Sequence, residues 1–276
     1  MKNLFVVVPL VFAHRLDHAE LAWRSAAAFF AFCAAASAVY LLNDLRDREA
    51  DRLHPVKRLR PIAAGQLGPA AALVAAVVLT AAALAIAWRL GAGFAICLGI
   101  YLTLNVLYSL GLKRIVILDV MTIALGFVLR VEAGALAIAV EVSSWLLLCT
   151  IFVALFLGFA KRRHELALQP AAAAGTRKVL EHYNLTFVDQ MINVVTASTV
   201  VSYALYTVDP ATAARLGTRH LVATVPLALF GIFRFLFLLY QKSDLASPTD
   251  AILHDPPFLV NLLLWGVTVL TLIYVL

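Results

Sequence analysis

Residues 43–65 read NDLRDREADRLHPVKRLRPIAAG, and they interrupt a chain that is otherwise mostly apolar. The first nine of these positions hold four carboxylates, Asp44, Asp47, Glu49 and Asp51. Arg52, His54, Lys57, Arg58 and Arg60 follow. One long apolar run ends at Leu42 and another begins at Pro69. Charge of both signs between two such runs decides how the runs are read: they are membrane helices, and the charged stretch is the polar cap at one end of them.

Composition supports that reading. Of 276 residues, 63% are hydrophobic and 14% charged, and the mean hydropathy is +0.93. A soluble domain has about 45–50% apolar and about 25% charged residues. The apolar runs are about twenty residues long, the length of a membrane helix, whereas a barrel shows shorter alternating segments. The fold class is therefore an all-α polytopic membrane protein, with residues 1–276 forming a single transmembrane helical domain.

The segment MKNLFVVVPLVFAHR is basic and then apolar, like a leader, but it lacks a small-residue cleavage site. It reads as a retained first span, short for a full crossing of about 20 residues. Further spans are expected near Leu21–Leu42, Pro69–Leu90, Phe94–Leu110, Ile115–Ile138, Trp145–Ala160, Phe187–Val208, Leu221–Tyr240 and Pro257–Leu276, about nine in all. A polar loop is expected over Lys161–Asn184. Cys33, Cys97 and Cys149 all lie in apolar runs, with no C-x-x-C spacing, and read as small hydrophobes.

Lys and Arg concentrate in the loops after spans two, four, six and eight: Arg46, Arg48, Arg52, Lys57, Arg58, Arg60, Lys113, Arg114, Lys161, Arg162, Arg163, Arg177, Lys178 and Lys242. The other side has Arg15, Arg24, Arg89, Arg215 and Arg219. The positive-inside rule places the first group, and the charged stretch with it, in the cytoplasm of a cell (inner) membrane protein.

The chemistry follows from spacing. If span two continues as a helix, Asn43, Asp47 and Asp51 recur every four residues, with Asp44 seven before Asp51, and so share roughly one face. Like charges at that spacing repel, and a bound Mg2+ reverses the effect; Mg2+ takes carboxylate oxygens together with substrate phosphates. Pro55 and Pro61 stop the helix, leaving Lys57, Arg58 and Arg60 within reach of the carboxylates. Metal beside Lys and Arg is a way to hold a diphosphate. Orientation alone would explain the basic residues but not the acidic ones.

The order N-D-x-x-D-x-x-x-D resembles the first aspartate motif of the UbiA-type intramembrane prenyltransferase superfamily. The pattern of about nine helices fits, as does YSLGLKRIVILDV with Tyr108, Lys113 and Asp119. The resemblance implies a UbiA-like bundle with a cytoplasmic polar cap. It assigns Mg2+ to Asn43, Asp44, Asp47 and Asp51, the three aspartates being catalytic. In ordinary members a second aspartate pair follows span six and binds a second metal; here that place reads AKRRHEL, with Lys161, Arg162 and Glu165. Together with RPIAAG, YSLGLK and the stretch around Arg130, this resembles the branch of decaprenyl-phosphate phosphoribosyltransferases. That branch implies Mg-dependent transfer of 5-phosphoribosyl from phosphoribosyl diphosphate to a polyprenyl phosphate, in cell wall biogenesis.

The departure has its own physical sense. Such a reaction gathers a diphosphate, a 5-phosphate and a lipid phosphate in one cavity, and replacing carboxylates by cations suits it. Lys57, Arg58, Arg60, Tyr108, Lys113, Arg130, Lys161 and Arg162 are the expected substrate-binding residues. Arg130, in mid-span, is expected to bind phosphate or pair with a site carboxylate. Arg234, and the pair Asp189 and Asn193, are further polar residues within spans. Two alternatives stay open: prenyl transfer from an allylic diphosphate to an aromatic acceptor, and a transport or lipid-binding protein without chemistry. The expected partners are the two substrates and membrane lipids, no nucleic acid, and a second copy of the chain as a possible homo-oligomer.

Overall fold

The computed structural model describes residues 2–53, 57–167, 178–241 and 252–275. His54 and Pro55 of the charged stretch, and Arg177 and Lys242 of the orientation count, lie outside the described residues. The helices are α1 (Val8–Phe12), α2 (Ala19–Arg46), α3 (Arg48–Leu53), α4 (Pro69–Leu90), α5 (Ala92–Leu110), α6 (Leu118–Ala137), α7 (Ser144–Ala167), α8 (Leu185–Val208), α9 (Pro210–Leu216), α10 (Val225–Gln241) and α11 (Pro256–Tyr274). Short 3-10 segments occupy Lys2–Val6, Lys57–Leu59, Leu112–Arg114, Lys178–His182 and His220–Thr224.

Eight helical segments among the described residues are long and apolar enough to cross a membrane, so the chain is a multi-pass membrane protein. The expected first span is instead a shorter apolar segment, Lys2–Phe12, made of a 3-10 turn and α1 and packed against α6. The crossing helices alternate in direction. The ends of α2, α5, α7 and α10 and the starts of α4, α6, α8 and α11 therefore gather at the end that bears the charged stretch, called the motif end below.

Why these helices pack as they do is visible in their small residues. Lipid is as apolar as a core, so membrane helices associate where small side chains let backbones approach. On α2, Ala28, Ala31, Ala35 and Ala38 are buried; on α4, its main partner, Ala72, Ala76, Ala83 and Ala87 are buried. A single residue, Gly91, turns α4 into α5 at φ 126°, a conformation that a side chain would strain. At that same end Arg24 caps two helices, its Nε donating to the Ala137 carbonyl at 2.7 Å and its Nη2 to the Leu90 carbonyl at 2.9 Å.

The centre of the bundle is α6, where 61% of the most apolar window is buried, against 22–39% for the other spans. It contacts α2, α5, α7 and the N-terminal segment. Gly134 of α6 lies directly against the backbone of Val6, and a Cβ there would collide with the Val6 carbonyl.

Arg130 on α6 corrects an expectation. It lies about 18 Å along the axis from Leu118, at ~1.5 Å per residue, which is too far from the motif end to serve a site carboxylate. Its Nε donates to Asn3 Oδ1 at 2.9 Å, its Nη1 to the Gly126 carbonyl at 2.6 Å and its Nη2 to Tyr101 Oη at 2.8 Å. The rings of Tyr101, Phe127 and Phe32 lie 4.6, 5.5 and 5.9 Å from the guanidinium carbon. A buried cation needs hydrogen bonds more than it needs a counter-charge when ring faces surround it. Arg130 thus ties the N-terminal segment to α5 and α6. Arg130→Met is expected to cost at least ~2 kcal/mol through its unsatisfied partners, read as a lower unfolding temperature in detergent, whereas Arg89→Met on an exposed face of α4 leaves that temperature unchanged.

Candidate metal and phosphate site at the motif end

With 28 residues, α2 is about 42 Å long, more than a ~30 Å hydrocarbon core requires, and the first carboxylate of the motif, Asp44, lies in its last turn. The expected helix through the first half of the charged stretch is present with one flaw. Asp47 leaves helical geometry (φ −91°, ψ 4°), yet its N–H bonds the Asn43 carbonyl at 2.9 Å and the Asp51 N–H bonds the Asp47 carbonyl at 2.8 Å. The hydrogen-bond ladder runs on into α3, which keeps the carboxylates on one side.

Their partners are cationic. Arg60 Nη1 lies 2.8 Å from Asp44 Oδ1 and 2.8 Å from Asp51 Oδ2. Lys113 Nζ lies 3.6 Å from Asp47 Oδ2. Lys57 is close enough to act electrostatically on Asp44. Arg58 is exposed. Asn43 is held by a residue that sequence reasoning passed over: Ser109 Oγ donates to Asn43 Oδ1 at 2.6 Å. Arg46 Nη1 also donates to the Ser109 carbonyl, at 2.8 Å, so the end of α5 is fastened to the end of α2. Only the contact shows this; a serine closing an apolar helix has no distinguishing pattern.

The donor set fits a hard divalent cation. It is all oxygen, three carboxylates and an amide, and Asp44 and Asp51 already converge on a single cationic nitrogen. Among the described residues no three acidic, thiol or imidazole groups are drawn together as ligands; Arg60 and Lys113 pair with the carboxylates.

The end of α7 departs from expectation. The run KRRHEL is helical, not loop, since α7 continues to Ala167. Helical geometry turns each successive residue of it by about 100° around the axis. Lys161 is exposed, while Arg162 is buried, with 1% of its side chain accessible. Arg162 Nε donates to Asp119 Oδ2 at 2.6 Å, and its Nη1 to Glu165 Oε2 at 2.7 Å, one turn along the same helix. Its Nη2 is buried without a partner. Arg162 is therefore a structural cation consumed by two acids, which corrects its expected place among the phosphate ligands. Tyr108, near the end of α5, lies within electrostatic reach of it.

Asp119, fully buried at the start of α6, has a second partner in Tyr183, whose Oη donates to Asp119 Oδ1 at 2.8 Å and accepts from the Ile117 N–H at 2.7 Å. Burial, and then the adjoining carboxylate, push the Tyr183 phenol above its ordinary range, so it stays protonated and donates. Ile117 sits at φ 70°, strained for a β-branched residue, and this hydrogen bond helps to hold it there. The same loop carries Lys113. Two other polar residues resolve as ion pairs: Arg163 Nε and Tyr240 Oη both donate to Asp189 Oδ1, at 2.8 and 3.1 Å, and Arg234 pairs with Asp255 at 3.0 and 2.8 Å.

Comparison with known proteins agrees with this architecture. The profile of the UbiA prenyltransferase family matches residues 4–175. A Corynebacterium glutamicum protein named decaprenyl-phosphate phosphoribosyltransferase is 35% identical over 257 residues, 91% of this chain and 76% of that protein. The Mycolicibacterium smegmatis protein of that name is 37% identical over 210 residues, 75% of this chain and 66% of that protein. The solved structure of a UbiA homolog from Archaeoglobus fulgidus bound to GPP and Mg2+ matches with a TM-score of 0.68 at 19% identity, covering 98% of this chain and all of that one. At that identity the likeness is one of fold.

The burial contrast orders the expected effects of substitution. Arg162→Gln leaves Asp119 a buried carboxylate without its cation and is expected to destabilise by about 3–5 kcal/mol. Tyr183→Phe leaves the Ile117 N–H and Asp119 Oδ1 unmet and is expected to lose about 1–3 kcal/mol. Lys161→Gln, on the surface, stays within about 0.5 kcal/mol of the parent. Thermal unfolding of the three purified variants checks the order.

Proposed function

We propose that this chain, which belongs to the UbiA prenyltransferase family, transfers 5-phosphoribosyl from phosphoribosyl diphosphate to a polyprenyl phosphate, releasing diphosphate. The observation that carries the choice is at the end of α7. Where a second acidic cluster would serve another metal, Asp119 and Glu165 are both engaged by Arg162, which offsets half of their charge. Lys161 stands exposed beside them, so this side of the site presents a cation. The names of the corynebacterial and mycobacterial relatives support the same reaction.

Asn43, Asp44, Asp47 and Asp51 are the residues that would hold Mg2+. Bound there, the ion supplies charge neutralisation for the diphosphate. Lys57, Arg58, Arg60, Lys113 and Lys161 are assigned to phosphate oxygens, with Tyr108 lining the same space. The C1–O bond of the ribose to diphosphate breaks through an oxocarbenium-like state, and a lipid phosphate oxygen forms the new bond to C1. That oxygen is already anionic, so the reaction requires no general base. The chain's contribution is positioning and stabilisation of charge on the leaving group. The polyprenyl tail lies along the exposed apolar faces of the bundle. The count of Lys and Arg supports a cytoplasmic motif end in a cell (inner) membrane.

The test is direct. Purified protein with Mg2+, phosphoribosyl diphosphate labelled in the ribose and a polyprenyl phosphate should place label in the extracted lipid. Asp47→Ala should reduce the rate by at least ~100-fold, the scale on which electrostatic groups act at a reacting centre. Transfer of a prenyl chain from an allylic diphosphate to an aromatic acceptor, without ribose label in lipid, would overturn the reading.

A further inference from the structure

Arginine bridges two carboxylates at two places in this fold, and the two bridges differ in kind. Arg162, between Asp119 and Glu165, has 1% of its side chain accessible; Arg60, between Asp44 and Asp51, has 42%. We propose that Arg60 is an exchangeable counter-cation: it holds Asp44 and Asp51 together before ligand arrives, yields them to the divalent metal, and moves to the diphosphate that the metal brings. The inference rests on the reading above that these aspartates hold a metal with a diphosphate.

The geometry favours exchange over permanence. Both carboxylates converge on the same nitrogen, Nη1, which leaves Nε and Nη2 unused by them. A metal ion at those two oxygens competes with the guanidinium for their lone pairs and repels it. Arg60 is 42% accessible and Asp44 26%, so water can take up what that pair releases, although Asp51 is nearly buried at 6%; a pair as enclosed as Arg162 and Asp119, at 1% and 0%, is harder to break. Only the side chain has to move. The Arg60 backbone is fixed, its N–H on the Lys57 carbonyl at 3.0 Å and its carbonyl accepting the Ala64 N–H at 2.8 Å, and Pro61 follows at once. Once free, the planar guanidinium matches phosphate oxygens as well as it matched carboxylates.

The consequence is coupling. While Arg60 occupies the carboxylates, metal alone binds against a resident competitor. A diphosphate that draws Arg60 away removes the competitor, and by linkage the metal raises diphosphate affinity by the same factor. Metal and diphosphate then enter as a pair, and free divalent cation does not saturate the site.

Equilibrium dialysis of the full-length protein in detergent tests this, with Mn2+ as the metal and radiolabelled inorganic diphosphate as the anion, so that no turnover is read. Arg60→Gln is expected to bind Mn2+ alone roughly three- to tenfold more tightly than the parent, the range that one or two partly exposed ion pairs span. It should bind diphosphate in the presence of Mn2+ roughly tenfold more weakly, since each 1.4 kcal/mol is tenfold. Arg114→Gln makes the same charge change on an exposed residue with no part in the bridge, and should shift Mn2+ affinity less. Mn2+ affinity that is unchanged or weakened in Arg60→Gln, or raised equally in Arg114→Gln, overturns the exchange. Mn2+ bound by neither the parent nor Arg60→Gln defeats the metal-site reading itself, and this inference with it.

Discussion

At the motif end of the bundle a guanidinium lies out of water between two carboxylates, and the neighbouring backbone is arranged around it. Arg162 and Asp119 come from α7 and α6, and neither could be buried there alone, because an uncompensated charge at such a site costs about 3–5 kcal/mol. Their pairing fixes the ends of the two helices against each other. Tyr183 then reaches in from the segment before α8, bonding Asp119 on one side and the Ile117 N–H on the other. Ile117 is kept at positive φ, and the loop that contains it places Lys113 opposite Asp47. One buried pair thereby sets where a cation of the candidate site stands.

The first motif is organised by the opposite condition. Its carboxylates are on the last turns of a 28-residue α2 and on α3, and although Asp51 is buried, their partner Arg60 is half exposed. Water and screening weaken the exposed side of that bridge, between Arg60 and Asp44. The same residue types thus give a joint closed to water in one place and a bridge partly open to it in the other. Elsewhere the bundle accommodates cations without any acid. Arg130 uses an amide, a hydroxyl, a carbonyl and ring faces, and Arg24 uses two helix-terminal carbonyls.

Much of the fold was legible in residue order. Apolar runs of the right length gave α4 to the residue and α5, α6, α8, α10 and α11 to within a few residues, because a bilayer sets helix length. The spacing of Asn43, Asp44, Asp47 and Asp51 gave a shared face, and the helical ladder kept it across the break at Asp47. Reading failed where charge went inward. AKRRHEL reads as a basic loop because three cations adjoin, yet helical periodicity sends Arg162 into the core and leaves Lys161 outside. Ser109 and Tyr183 passed unnoticed, since a hydroxyl acquires a role only from what lies across from it.

The sequence by itself determined that the chain crosses the membrane many times, that its charge gathers at one end, and that an oxygen-rich acidic motif faces nearby basic residues there. Those properties follow from composition and from spacing along one helix, and both are local. Which of those charges pair at an accessible edge and which pair in burial was settled by contacts between helices. Asp119 and Arg162 are 43 residues apart, Asp44 and Arg60 are 16 apart, and Arg130 and Asn3 are 127 apart. Pairing across such distances depends on which helix faces meet and how deeply they are buried, and no run of residues carries that information.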